Sequence, residues 1–322
     1  NRDRSLSLQS QRTTDGIGPN SIATFRRFVY VANVDADGKF TGEPDQEGSL
    51  TGFTLDKRGR LTPIPGSTRV LGNRPSAIQF SPDGRYLVVA SINAGSAALE
   101  SGSTDELVVY RVMPGGRLSE VPVSTGASTL PFNAEDRNLP SAIGFEIVQS
   151  GGNNYVVVTE AREFRSDGSP PVFDQLQTGS VSTWVLDRTG ELIPIQLDVL
   201  AGDDLFDGQR TACWIEFSLD QSYFWVSNAL DASLSAYSFD AGQISLLDEA
   251  AAVGTPANEA DPFGTTDGWI DLWRSQDGRF LYQLFGLDGT IGVFEINGSE
   301  LKLIQEITGD LPEENTQGIV AF

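Results

Sequence analysis

Any acid–base chemistry in this sequence must be done by carboxylates, because its 322 residues include no histidine and a single cysteine, Cys213. Histidine is the side chain whose ordinary pKa lies closest to neutrality, so a proton switch at neutral pH must here be a carboxylate with a shifted pKa. Cys213 lies in an apolar run, where a buried structural thiol is expected rather than a nucleophile. A catalytic group is therefore expected among the Asp and Glu residues.

Glu160 is the acid whose position is unusual. It ends the apolar run 155–159 at a place where sister segments carry neutral residues: Asn33, Ser91, Asn228 and Phe285. Arg162, Glu163 and Arg165 follow it closely. A carboxylate beside guanidinium groups could bind an anionic substrate and move a proton if burial shifts the pKa of the acid. The alternative is a solvated loop with surface ion pairs, which we favour for Arg162, Glu163 and Arg165 and leave open for Glu160.

Eight further residues are candidates for binding a substrate, because they stand at or beside the starts or ends of apolar runs in the aligned repeats. Two arginines among them could orient a carboxylate bidentately. These candidates are Arg74, Arg210, Asn33, Ser76, Ser141, Asn228, Asp267 and Gln317.

Two clusters of acids are candidate calcium ligands, namely Asp35, Asp37, Glu43 and Asp45, and Asp203, Asp204 and Asp207. Neither has the spacing of a calcium-binding loop, so surface charge is the favoured reading and no cofactor is expected. One cysteine without histidine cannot supply the usual zinc ligands.

The segments that carry these candidates repeat along the chain. Two apolar runs flank the turn Ser81-Pro82-Asp83-Gly84, in which proline presets φ and glycine accepts a positive φ. Similar hairpins recur at 141–159, 213–228 and 269–282, and each is followed by a second hairpin. Four strands in a unit of roughly 50 to 70 residues, repeated along the chain, indicate a β-propeller.

We therefore expect an all-β fold with one propeller domain at 1–322. The complete units lie near 20–71, 76–124, 141–200, 213–253 and 268–308, and single strands at 5–12 and 316–322 begin and end the sequence. We expect 5–11 and 316–322 to pair as strands, either with each other or with a separate N-terminal fragment that completes the ring. The long connections between strands fall on one face of such a propeller, which is where function is expected.

The net charge of −22, with only three lysines, excludes nucleic acid and anionic membrane as favoured partners, since both require a basic surface. No apolar run is long enough to span a bilayer. A soluble protein is expected, and its acidic, lysine-poor composition weakly favours an extracellular or periplasmic location over a cytoplasmic one.

The sequence resembles the seven-bladed lactonase-like propellers, which include 6-phosphogluconolactonases and fungal carboxymuconate cyclases. The resemblance rests on the repeat around Ser81-Pro82-Asp83-Gly84, the segment 59–69 and the segment Thr211-Ala212-Cys213-Trp214. It implies that two further blades would complete the ring. It also implies lactone hydrolysis or its intramolecular reverse, although the cyclases are expected to use a histidine that this sequence lacks.

Two functions remain as alternatives. The first is lactone chemistry on a small, acidic lactone or its open-chain acid, with Glu160 handling the proton and Arg74 and Arg210 orienting the substrate. The second is a catalytically silent propeller that acts as a binding or structural component of a protein assembly. The absence of histidine favours the second.

Overall fold

The structure is a computed structural model that describes residues 7–35, 47–71, 74–92, 107–127, 138–165, 177–254, 268–308, 311 and 318–320. Across these ranges the chain forms β-strands and no helix. The strands make five antiparallel sheets, which we call blades one to five.

Each blade is built from strands that follow one another in sequence. Blade one contains β1 (Ile17–Phe25), β2 (Phe28–Asp35), β3 (Ser49–Leu55), β4 (Leu61–Pro63) and β5 (Arg69–Val70), of which β5 pairs with β3. Blade two contains β6 (Arg74–Phe80), β7 (Tyr86–Ile92), β8 (Leu107–Arg111) and β9 (Ser124–Gly126). Blade three contains β10 (Asn138–Ser150), β11 (Asn153–Arg165), β12 (Ser180–Leu186) and β13 (Leu192–Leu200). Blade four contains β14 (Ala212–Phe217), β15 (Tyr223–Asn228), β16 (Ser233–Asp240) and β17 (Gln243–Val253). Blade five contains β18 (Trp269–Arg274), β19 (Phe280–Phe285), β20 (Thr290–Asn297) and β21 (Glu300–Ile307).

The prediction of an all-β propeller is confirmed. The core lies between neighbouring blades, where apolar side chains of one sheet pack against the next. Val88 of blade two and Val156 of blade three share one cluster, and Val157 of blade three and Phe224 of blade four share another. The first strand of every blade contributes to the lining of a single cavity. Sheets stacked face to face around a central cavity define the propeller.

The tight turns between first and second strands are closed by a repeated serine–aspartate pair. The Ser81 hydroxyl donates to the Asp83 carboxylate at 2.7 Å and accepts the Tyr86 N–H at 3.0 Å. The same arrangement recurs in blades four and five at Ser218 and Ser275. These hydrogen bonds satisfy polar groups of the turn that have no partner in the strand pairing. The turn sequence therefore sets the register of the two strands on either side of it.

The described part of the predicted first strand is not a strand. Residues 7–14 have no regular secondary structure, and residues 5 and 6 lie outside the described ranges. The Ser10 hydroxyl accepts the Leu61 N–H at 3.2 Å, just as Ser124 of blade two accepts the Leu192 N–H of blade three at 3.0 Å. The segment therefore lies beside the fourth strand of blade one, in the place of a neighbouring outer strand, and the same kind of side-chain contact that joins blades two and three holds it there.

The end of the sequence gives a similar correction. Residues 318–320 form no strand, and residues 316, 317, 321 and 322 lie outside the described ranges. The Ile319 N–H donates to the Asp271 carboxylate of β18 at 3.0 Å. A carboxylate rather than a strand edge therefore holds this segment.

Candidate functional site

The propeller has two ends that differ in their connections. At the long-loop end the first strand of a blade begins and its second strand ends, as at Pro75 and Ser91, which pair across β6 and β7. At the tight-turn end these two strands are joined by short turns, which carry the serine–aspartate pair in blades two, four and five. The sequence-predicted site residues that the structure describes lie at the long-loop end.

Glu160 lies at that end in β11 and is completely buried, with 0% of its surface exposed. The Ser180 hydroxyl donates to Glu160 Oε2, and the Arg162 guanidinium lies 3.6 Å from the same oxygen. The other oxygen, Oε1, has no hydrogen-bond partner. Burial raises the pKa of Glu160, and the nearby Asp198 carboxylate raises it further, while Arg162 and the Ser180 hydroxyl partly offset the rise. A carboxyl group with a raised pKa and one free oxygen can accept or donate a proton.

Arg162 was expected on a solvated loop, and this expectation is wrong. The strand β11 continues to Arg165, and the Arg162 side chain is 2% exposed. Its Nη2 donates to Asp198 at 2.5 Å and to the Ser180 hydroxyl at 2.8 Å. Asp198 adopts φ 58° next to an irregularity in the pairing of β12 with β13. No pattern in the sequence indicates that this distant aspartate neutralises the arginine.

The two predicted substrate-binding arginines differ in what they contact. The guanidinium of Arg210 binds the Asp231 carboxylate through Nε, at 3.0 Å to Oδ1, and through Nη2. Arg210 is therefore engaged within the protein. Arg74 begins β6 and is half-buried, and its buried Nε has no hydrogen-bond partner. Arg74 is the better placed of the two to bind an anion.

The neutral candidates also fall into two groups, those whose side chains are hydrogen-bonded within the protein and those with an unpartnered polar atom. Asn33 is bonded to Thr14 and Ser49, and the Ser76 hydroxyl donates to the Ala142 carbonyl at 2.7 Å, so both join neighbouring segments. Ser141 and Asn228 are completely buried. The Ser141 hydroxyl and the Asn228 side-chain oxygen have no hydrogen-bond partner. Asp267 and Gln317 lie outside the described residues.

Unsatisfied polar atoms are therefore concentrated at the long-loop end. Native proteins satisfy most buried polar atoms, and clusters of exceptions mark places where a ligand or water completes the bonding. The atoms at this end are Arg74 Nε, Ser141 Oγ, Glu160 Oε1 and Asn228 Oδ1. Thr178 Oγ1, two residues before β12, is also without a partner.

A second group of acids, which was not predicted from the sequence, lies at the tight-turn end. Glu146, Glu216 and Asp271 lie on β10, β14 and β18 and line a cavity of about 500 Å³. Each of these acids stands between two apolar residues of a first strand, as in Ile215-Glu216-Phe217. That pattern is the sequence signal that could have identified them, because a carboxylate inside a buried strand must be paired, neutral or functional.

Crowding and burial perturb all three acids. Burial raises the pKa of Glu216 to about 7, against the opposing effect of Arg274, whose Nε lies 3.4 Å from Glu216 Oε1. Burial also raises the pKa of Asp271 to about 6, although two backbone N–H groups partly offset it. The pKa of Glu146 is raised well above its ordinary value by burial and then by the Glu216 carboxylate. The cavity therefore concentrates acids that hold protons near neutral pH.

A metal site is not formed by the residues that the structure describes. No three His, Cys, Asp or Glu side chains among them are close enough to hold a metal ion, and this includes Asp203, Asp204 and Asp207. Asp37, Glu43 and Asp45 are outside the described ranges, as is the side chain of Asp35. In the described part of the chain, no helix is long and apolar enough to span a membrane. Cys213 is buried and forms no disulfide.

Three solved structures that share the fold come from bacteria. The periplasmic gluconolactonase of Pseudomonas aeruginosa superposes with a TM-score of 0.60 at 20% identity, covering 91% of this chain and 72% of that one. A candidate 6-phosphogluconolactonase of Bacteroides uniformis gives a TM-score of 0.60 at 17% identity, covering 92% of this chain and 74% of that one. A protein of Lactobacillus plantarum gives 0.59 at 17% identity, with 90% and 71% covered.

These similarities identify the fold as that of the lactonase-like β-propellers. No family model matches the sequence, and no curated protein sequence matches it. At such low identity the shared fold does not carry the activity with it, because one fold hosts many functions. The function must be argued from the site.

Proposed function

We propose that this propeller acts on a small, acidic lactone or its open-chain acid at the long-loop end. The observation that supports the proposal best is Glu160, a buried acid with a raised pKa and a carboxylate oxygen without a partner. Arg74, with an unpartnered Nε at the start of β6, supplies the positive charge that an acidic substrate requires. The similarity in fold to two proteins described as lactonases agrees with this choice.

The chemistry assigns one role to each group. In hydrolysis, Glu160 as carboxylate takes a proton from water while the water oxygen attacks the lactone carbonyl. The ring C–O bond then breaks, and the leaving oxygen receives the proton, which gives the hydroxy acid. Arg74 binds the carboxylate or phosphate of the substrate, and Arg162 with Ser180 holds the Glu160 side chain in place. Lactonisation is the reverse sequence.

A panel of glucono-δ-lactone, its 6-phosphate and an uncharged γ-lactone tests the proposal in a pH-stat assay. Glu160→Gln keeps the shape of the side chain and removes its proton transfer, so kcat should fall by at least about 100-fold. Arg74→Gln should raise KM for the phosphorylated lactone by about 10-fold or more, because it removes one charge-assisted contact, and should change KM for the uncharged lactone less.

Two exposed positions serve as controls for these substitutions. Glu191→Gln and Arg58→Gln make the same charge changes on outer turns and should leave the kinetics unchanged. Activity that is equal in wild type and Glu160→Gln would refute the role of Glu160. Absence of activity on every lactone would instead favour the silent propeller that binds a protein partner, to which the lack of histidine also points.

We also propose that the protein works outside the cytoplasm. The support is its net charge of −22 with three lysines and the fold that it shares with a periplasmic gluconolactonase. Fractionation of the native cells with an antibody to this chain tests the location. Recovery in the cytoplasmic fraction alone would contradict it.

A further inference from the structure

The cavity at the tight-turn end has the dimensions and walls of a small-molecule site. Its volume of about 500 Å³ lies within the range of ligand pockets. The first strands of all five blades line it. It is separate from the long-loop site, because its lining includes Ser81 and Pro82 of a tight turn and none of the residues assigned to the lactone.

Carboxyl groups outnumber cations around this cavity. Glu146, Glu216 and Asp271 line it, and Arg274 is bound to Glu216 and donates to the Phe217 and Ser275 carbonyls. Among the described residues, the Glu146 carboxyl group has neither a hydrogen-bond nor an ion-pair partner. A cation bound here would favour the ionised forms of these buried acids, so added positive charge would complete the site.

Aromatic rings make up much of the remaining wall. Phe25, Phe80, Phe145, Trp214 and Trp273 all contribute to the lining. The faces of such rings attract cations and exclude the hydration shell of a bare metal ion. The three acids are also too far apart to hold one metal ion together. Aromatic walls with dispersed carboxylates suit an organic cation of a few carbon atoms.

We propose that this cavity binds a small organic cation, an amine or guanidine with an apolar body, whose charged group pairs with Glu146 and Glu216. The apolar body packs on Trp214 and Trp273, and the net negative charge of the protein attracts the ligand from solution. The proposal does not rest on the lactone chemistry at the other end.

Three ligands with the same ring and different charges test it: benzylamine, benzyl alcohol and benzoate, each titrated at constant ionic strength near pH 7.5. Isothermal titration calorimetry measures affinity, and quenching of Trp214 and Trp273 fluorescence reports binding in the cavity. Benzylamine should bind saturably, benzyl alcohol at least 10-fold more weakly and benzoate not measurably. The proposal is overturned if benzylamine fails to bind or if benzoate binds as tightly.

Variants assign the binding to the cavity. Glu146→Gln should weaken benzylamine binding at least 10-fold, whereas Glu191→Gln, on an exposed outer turn, should leave it unchanged. Equal weakening in Glu146→Gln and Glu191→Gln would show a general effect of net charge and would overturn the proposal that benzylamine binds in this cavity. Arg74→Gln should not change benzylamine affinity, which separates this result from a failure of the lactone proposal. Unchanged affinity in Glu146→Gln would also overturn the proposal.

Discussion

Glu216 makes the stability of the protein depend on pH in a direction that can be worked out. Its pKa is about 7 in the folded protein because of burial, against an ordinary value of 4.5. The folded state therefore holds a proton that the unfolded state has already lost between these two pH values. Where the folded state binds more protons than the unfolded state, the free energy of unfolding falls as pH rises. This stability is therefore fully present below pH 4.5 and is lost as pH rises through 7.

The size of the effect follows from the pKa values. A pKa raised from 4.5 to about 7 corresponds to about 3 kcal/mol in total. Most of this, about 2 kcal/mol, is lost between pH 5 and pH 8. The pKa shift can be converted into a free energy of unfolding because Glu216 is only 6% exposed and solvent screens its charge little. Glu216→Gln resembles the protonated acid and cannot lose the proton, so it should escape this loss.

Urea unfolding at pH 5 and pH 8 measures the difference. The free energy of unfolding of Glu216→Gln, relative to wild type, should rise by about 2 to 3 kcal/mol from pH 5 to pH 8. Glu191→Gln, which changes an exposed acid, should show no such rise. A relative stability of Glu216→Gln that stays constant or falls with pH would refute the argument that burial controls this acid.

Two further substitutions test the packing of the blades. Arg162→Met should destabilise the protein by about 3 to 5 kcal/mol in urea unfolding, because Glu160 and Asp198 would be left buried without their cation. The control Arg188→Met, on an exposed turn, should lower the free energy of unfolding little. Equal losses in the two variants would contradict the buried ion pairs. Gly84→Ala should lower Tm far more than Gly115→Ala: both glycines have positive φ, but a Cβ at Gly84 would meet the Phe25 ring at 2.0 Å while nothing lies within 4 Å of Gly115. Similar losses of Tm in the two variants would show that the positive φ, rather than the contact between blades, determines the cost of the substitution.

The fold was predictable because its signals are local. The Ser81-Pro82-Asp83-Gly84 turn and its counterparts near Ser218 and Ser275 close hairpins with their own side chains, so the sequence shows each unit directly. Residues 7–12 of the strand predicted at 5–12 form no strand, because their alternating pattern carries no information about whether a neighbouring backbone is within reach.

The site was only partly predictable because its contacts are long-range. Glu160 could be recognised as an acid among neutral sister residues, but its neutralising network depends on Asp198, 36 residues from Arg162. The acids Glu146, Glu216 and Asp271 converge from three blades, and no local pattern indicates that they share one cavity. The charge environments of Glu160 and of the three cavity acids both depend on how the sheets are packed together, which the sequence does not show directly.

A crystal structure with a bound open-chain sugar acid would test the central claim most directly. The account predicts its carboxylate within hydrogen-bond distance of the Arg74 guanidinium, with the hydroxyl that closes the lactone ring directed towards Glu160 Oε1. Binding of the acid in the cavity beside Glu146 and Glu216, or a position at the long-loop end that leaves Arg74 and Glu160 untouched, would contradict the account.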